Sequence, residues 1–348
     1  MLRMSSEEER KIKCVVWDLD DTLWDGVLME HDPCLLKSGV VDTIKELDDR
    51  GILQSIASKN EESSATEKLK SYGLSDYFLY PMINFDSKSS SIKKITTLLN
   101  IGTDAIAFID DQPFERDEVS FSLPEVLCID SDYIHELLEM PEMNPRFITD
   151  DSSKRRHLYL TDIKRNRVEE SFTGTKEEFL ASLHMNFTIL PATELDLQRA
   201  EELTVRTNQL NTTGYTYSYD ELKGFCQSEK HKLLVSSLED KYGTYGTIGL
   251  SLIELNGNIW TIKLLLMSCR VMSRGVGNIM ISYIRNEARD KGVRLMAEFV
   301  ENDRNRMMYM TYKFAHFKEY KKEEELVILE NDLTKSLPFP NYAKVEFT

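Results

Sequence analysis

Cysteine is scarce and scattered. The five in 348 residues, Cys14, Cys34, Cys128, Cys226 and Cys269, form no C-x-x-C pair and are odd in number. That spacing argues against a zinc site and for reduced thiols rather than a disulfide framework. Long apolar runs are missing too. The opening "MLRMSSEEERKIK" has no signal-peptide core and no later segment approaches a membrane span, so a cytoplasmic protein with no membrane partner is expected. Positive charge is in deficit: 43 Lys and Arg against 59 Asp and Glu give a net charge of −16. Such a surface repels polyanions and argues against nucleic acid as a partner. Repeats, low-complexity tracts and heptad seams are absent as well.

The length exceeds that of a usual single domain and predicts two cores. In the first part, apolar runs (12–17, 52–57, 105–109, 126–129) alternate with amphipathic stretches (40–50, 61–72, 89–100). That alternation predicts an α/β fold with helices on both faces of a parallel sheet. Past Leu138 the pattern breaks at Pro141 and Pro145 and enters a charged stretch. From Met185 the expected order is strand, two helices, three long strands, helix, strand, helix and a strand pair, giving a mixed, largely antiparallel sheet. The expected division is therefore 1–145, a helical linker 146–176, and 177–348.

The run "CVVWDLDDTLWDGVL" drives a buried-looking strand into four carboxylates, Asp18, Asp20, Asp21 and Asp25, within eight positions. At the carboxyl end of a parallel strand, where ligands bind, a hard divalent cation is the usual remedy for such crowding. Three further stretches end strands or start helices with chemistry: "IASKN" with Ser58, "FDSKSSSI" with Lys88, and "IAFIDDQPFERDEV" with Asp110 and Asp111. Taken singly, Ser58 reads equally well as a helix cap and Lys88 as a surface lysine. Cys269 directly follows the strand "WTIKLLLM", beside Arg270 and Arg274 and ahead of a helix, where positive potential favours thiolate. A buried, inert thiol is the alternative. Gly275 and Gly277 would let backbone N–H groups approach an anion at that helix start.

Together the four acidic, serine and lysine motifs resemble those of the haloacid dehalogenase (HAD) phosphotransferases. The resemblance implies Asp18 as the phosphorus-attacking nucleophile and Asp20 as general acid/base, with Thr22 supporting their loop. It implies phosphate binding by Ser58 and Lys88, and Mg²⁺ held by Asp18, Asp20, Asp110 and Asp111. The later element order resembles the GNAT acyltransferase fold, with Met272 standing where that family has Gln or Arg. The whole set, including "TNQLNTTGYTYSYDEL", "DKYGTYGTIG" and "SCRVMSRGVG", resembles the FkbH-like glyceryl transferase/phosphatases of polyketide biosynthesis. Asp21 and Asp25 replace that family's Asn and Gly, and Ser273 and Gly277 its Gly and Glu. This resemblance implies a phosphorylated three-carbon acyl substrate, 1,3-bisphosphoglycerate, and an acyl carrier protein bearing phosphopantetheine as acceptor. It implies Cys269 as the acyl-carrying nucleophile and Asn208, Gln209, Arg274, Gly275 and Gly277 as acyl or pantetheine contacts. Asp240 reads as a hairpin-turn aspartate or a neighbour of the thiol. The basic run Lys154, Arg155, Arg156, Lys164, Arg165 and Arg167 reads as a solvated helix or as a docking face for an acidic carrier. Two other readings stay open: a stand-alone HAD phosphatase with a substrate-binding second domain, and a non-catalytic scaffold that recruits the carrier.

Overall fold

The computed structural model describes residues 11–28, 30, 34–207, 209–335 and 337–347. It divides into two compact units, Met1–Leu160 and Thr161–Thr348.

In the first unit the described elements are β1 (Cys14–Trp17), α1 (Val40–Asp49), β2 (Leu53–Ser58), α2 (Glu62–Ser71), β3 (Met82–Ile83), α3 (Lys88–Leu99), β4 (Ile106–Asp110), α4 (Pro113–Ser122), β5 (Leu127–Asp130), the single turn α5 (Asp150–Ser153) and the start of α6 (Arg155–Ser171). The strands form one sheet in the order β3-β2-β1-β4-β5, every pair parallel. Each residue of β1 is buried, as a central strand covered on both faces requires. Apolar spacing explains the helices: α1 buries Val40, Ile44 and Leu47 along one face, and α3 buries Ile92, Ile95 and Leu99. Gly51 closes the α1–β2 turn at φ 71°, and a Cβ there would lie 2.6 Å from the Ser152 carbonyl. Only glycine fits.

The second unit continues with α7 (Lys176–Ser182), β6 (Met185–Pro191), α8 (Leu197–Arg206), α9 (Tyr219–Cys226), β7 (His231–Asp240), β8 (Gly243–Asn256), β9 (Ile259–Met267), α10 (Val276–Asp290), β10 (Arg294–Val300), α11 (Arg306–Phe314), β11 (Phe317–Glu323), β12 (Leu326–Asn331) and β13 (Ala343–Phe347). The sheet runs β11-β12-β10-β9-β8-β7-β6-β13, antiparallel except at β9/β10 and β6/β13. The α/β class, a parallel sheet followed by a mixed, largely antiparallel one, is thus as the sequence predicts. The final strand β13 is not.

Two local features shape the second sheet. β9 pairs with β10 only over Ile259–Ile262 and Arg294–Ala297. At that point Lys263 bulges out of the β8/β9 ladder, whose register jumps between Leu252 and Ile253, and a bulge bends the strand that carries it. Residues 210–212 then take the place of β10 beside β9. Met267 N donates to Leu210 O at 2.9 Å, Thr212 N to Leu265 O at 3.1 Å, and Leu265 N to Thr212 Oγ1 at 3.0 Å. On the far side Val300 N donates to Thr212 O at 3.0 Å.

The basic run is not a uniformly solvated face. In the first unit Arg155 is buried and donates to Gly51 O at 2.7 Å, while Arg156 forks onto Asp48 with two contacts of 2.9 Å. In the second, Arg165 is fully buried against Asp162 and Asp240. Lys154, Lys164 and Arg167 are exposed. Among the described residues no helix is long and apolar enough to cross a membrane.

Candidate active site

The chain leaves β1 toward β2 on one side and returns to β4 on the other, which makes the carboxyl end of β1 the switch point of the sheet. Asp18 stands there, its N–H carrying the β1/β4 pairing one step further to Ile109 O at 2.9 Å. Beside it lie Ser58, ending β2, and Asp110, ending β4. Lys88, the first residue of α3 behind the cap Ser87, completes the group. All four are buried. The Lys88 ammonium donates to Asp18 Oδ1, donates to Ala57 O at 2.9 Å and lies 3.0 Å from Asp110 Oδ2.

Three of the expected metal ligands come together: Asp18, Asp110 and Asp111 each offer an oxygen within 4.8 Å of the others. Asp110 Oδ2 is buried with no aligned hydrogen-bond donor, despite its closeness to Lys88. An all-carboxylate set fits a hard divalent cation such as Mg²⁺. Asp111 is oriented by Thr22, whose Oγ1 accepts from Asp111 N at 3.0 Å and donates to Oδ1 at 3.3 Å. The carboxylate of Asp20 does not join them, which corrects the expectation that it is a fourth ligand. Its Oδ1 accepts from Trp24 Nε1 at 2.8 Å and Leu28 N at 3.1 Å, and its Oδ2 from Asn60 Nδ2 at 2.9 Å. Burial raises the Asp18 carboxyl to about 7, with Asp110 adding to the rise and Lys88 opposing it. Burial, then Asp110, also raises Asp111. Burial works against the charge of Lys88, but Asp18 and Asp110 hold its pKa above the ordinary lysine value.

A cavity of about 80 Å³ opens onto Asp18, Asp20, Ser58, Lys88 and Asp110. Its remaining wall is made by Lys59, Gln112 and Glu115. The sequence reading missed these three, and Asn60. Their only signal is position: each follows a strand-end residue by one to five places, in "SKN" or "DDQPFE".

In the second unit Cys269 is half-buried, carries no disulfide and opens the 3₁₀ turn Cys269–Arg274. Ser268 N anchors the turn to Ile248 O at 2.6 Å. The arginines beside the thiol are already neutralised. Arg270 donates to Tyr245 O at 2.6 Å and lies 3.6 Å from Asp162 Oδ2. Arg274, 2% exposed, donates to Glu169 Oε2 at 2.7 Å and Asn166 Oδ1 at 3.3 Å. Arg274 is thus a buried cation paired with Glu169, with its Nε donor left without a partner. Gly275 sits at φ 72° ahead of α10, and a Cβ there would collide with the Tyr342 hydroxyl. Its glycine is explained by the left-handed backbone and by Tyr342. At Gly277 a Cβ would meet only ordinary contacts at 3.9 Å. Asn208 lies outside the described residues. Gln209 begins the turn into 210–213, and there Asn211, Thr212 and Thr213 are buried in hydrogen bonds of the fold. Asp240 is no loose turn residue either. It accepts both arms of Arg165, the Tyr245 hydroxyl at 2.9 Å and Tyr242 N at 2.8 Å. A cavity of about 660 Å³ in this unit lies beside Asn278, Ser282, Phe314, Phe339 and Tyr342, and Cys269 does not line it.

No family model and no curated protein matches the chain. Among solved structures it is similar to the N-terminal part of a Bacteroides fragilis protein containing a phosphatase domain, complexed with Mg. The identity is 28%, over 44% of this chain and 41% of that one, with a TM-score of 0.32. The chain thus spans less than half the length of that structure. It is also similar to the ribosomal-protein-S18-alanine N-acetyltransferase of Escherichia coli, at 14% identity over 44% of this chain and 97% of that one, TM-score 0.34. A third is an N-acetyltransferase of Thermoplasma acidophilum in complex with coenzyme A, at 13% identity over 42% and 98%, TM-score 0.32. At such scores the fold stands on the strand order and directions alone.

Proposed function

We propose that the chain is a bifunctional enzyme, a Mg²⁺-dependent HAD-type phosphatase centred on Asp18 joined to an acyltransferase acting through Cys269. The substrate on this reading is 1,3-bisphosphoglycerate and the acceptor the phosphopantetheine thiol of an acyl carrier protein in polyketide biosynthesis. The observation that carries it is the meeting of Asp18, Asp110, Asp111, Ser58 and Lys88 at the switch point of a parallel sheet. For the second step the support is the "SCRV" stretch placing Cys269 at the end of β9.

Asp18, Asp110 and Asp111 would hold the cation, which when bound supplies positive charge to an incoming phosphoryl group. Lys88 adds a fixed ammonium on the same side. An Asp18 oxygen attacks phosphorus, the ester P–O bond breaks, and the leaving alkoxide takes a proton from Asp20. Asp20 then takes a proton from water as that water attacks the aspartyl phosphate, releasing inorganic phosphate and freeing Asp18. In the transferase half, Cys269 sulfur attacks the carbon 1 acyl phosphate and expels phosphate. The carrier thiol then displaces Cys269 from the thioester.

A simpler second reading is a phosphatase whose second unit only shapes substrate access. Tyr342 against Gly275 favours it, because the tyrosine hydroxyl fills the space beside an expected pantetheine contact. Intact-protein mass spectrometry with 1,3-bisphosphoglycerate and holo-carrier protein separates the two. An acyl adduct on enzyme and carrier supports the bifunctional reading; phosphate release without adducts supports the simpler one. Neither product overturns both.

A further inference from the structure

The phosphatase cavity has an inner and an outer part. Asp18, Ser58, Lys88 and Asp110 are buried at its floor, while Lys59 and Gln112 are at its solvent edge. The cavity is small, about 80 Å³, so on the phosphatase reading the part of a substrate beyond its phosphoryl group reaches that edge. Two lysines line it, and Lys88 is already committed to Asp18, Asp110 and the Ala57 carbonyl. Lys59 is different. Its side chain is 38% exposed and its ammonium contacts Glu115 Oε1 at 2.6 Å, Glu115 itself being only 9% exposed on the first turn of α4. The pair joins the β2–α2 connection to α4 across the cavity wall, leaving ammonium protons of Lys59 for a further acceptor.

We propose that Lys59 is the specificity-determining residue of this cavity, held in place by Glu115 and gripping a second anionic group on phosphomonoester substrates. The inference rests on the phosphatase reading of the Asp18 site. A substrate with a carboxylate a few bonds from its ester oxygen reaches Lys59 while its phosphoryl group is seated inside. An ester with a neutral tail leaves Lys59 paired with Glu115 and gains nothing from it. Around the seat stand four carboxylates, Asp18, Asp20, Asp110 and Glu115, so an anionic tail without Lys59 meets net repulsion.

The test uses the full chain with Mg²⁺ and two esters, phosphoglycolate and phenyl phosphate, and reads the ratio of their kcat/KM values. Wild type is expected to favour phosphoglycolate. Lys59→Met lowers that ratio at least tenfold, through KM for phosphoglycolate, whereas Lys59→Arg keeps most of it. Glu115→Gln keeps an oxygen to hold the ammonium but removes the competing carboxylate charge, and so raises the ratio. An unchanged ratio in Lys59→Met, or an equal loss on both esters, overturns the proposal. Failure of wild type to hydrolyse either ester is a separate result, which removes the phosphatase reading and this inference with it.

Discussion

The guanidinium of Arg165 holds Asp240 with both arms, Nε to Oδ2 and Nη2 to Oδ1 at 2.8 Å each, and neither side chain reaches solvent. The Tyr245 ring lies 3.7 Å from the same guanidinium, so the pair is packed as well as charged. Removing one partner of such a pair leaves a buried charge uncompensated. Arg165→Met is expected to destabilise the second unit by about 3–5 kcal/mol, read by urea denaturation. The double variant Arg165→Met/Asp240→Leu should recover much of that loss, and equal instability of single and double variants counts against the argument.

Asp18→Asn keeps the shape of the buried cluster but removes the attacking oxygen charge. Phosphate release should fall at least about a thousandfold, with the far-UV circular dichroism spectrum unchanged. Full activity in this variant refutes the assigned nucleophile.

The pH dependence follows from the raised carboxyls. Asp18 sits at about 7 and Asp111 is raised too, and a cation requires both ionised. Mg²⁺ binding should therefore release protons and strengthen as pH rises from about 5 to about 8. In the metal-free chain the sign for stability is opposite. Between the ordinary Asp value of about 4 and the raised one, the folded state binds more protons than the unfolded, so stability falls as pH rises through that window. Melting curves in EDTA should drop from pH 5 to 7.5, and the rise produced by Mg²⁺ should grow over the same interval. A rise independent of pH refutes the prediction.

Gly275→Ala meets two penalties, a left-handed backbone at φ 72° and the Tyr342 hydroxyl. The backbone part alone is worth about 1–2 kcal/mol. Tyr342→Ala should remove only the steric part, so the double variant is expected to be less destabilised than the sum of the singles. Strict additivity excludes the Tyr342 contact as the reason for the glycine.

Thr212→Val deletes the acceptor for Leu265 N, a buried donor with no replacement at that side chain. The expected cost is about 1–3 kcal/mol, measured by denaturation, with faster amide exchange at Leu265 as its local signature.

The sequence showed the fold wherever apolar content outlasted an element. β9 is read end to end from Ile259 to Met267 because its run is long and ends at a polar turn. β3 has two residues and no pattern of its own. β13 exists only through parallel pairing of Ala343–Phe347 with Met185–Ile189, far away in the chain. The same distinction governs the site. Asp18, Ser58, Lys88 and Asp110 were legible because each stands at the end of a strand or the start of a helix. The pairing of Arg274 with Glu169 was not legible because the two lie 105 positions apart. Asp20 diverged from its neighbours because Trp24 and Asn60 claim its oxygens, a competition that spacing does not reveal.

Residues 210–212 lie in the connection between α8 and α9 yet behave as a short splint laid along the end of β9. Spreading β9 from β10 beyond Ile262 must first break that splint, which is held to Leu265, Met267 and Val300. Its release would show as exchange of the amide protons of Leu265 and Met267.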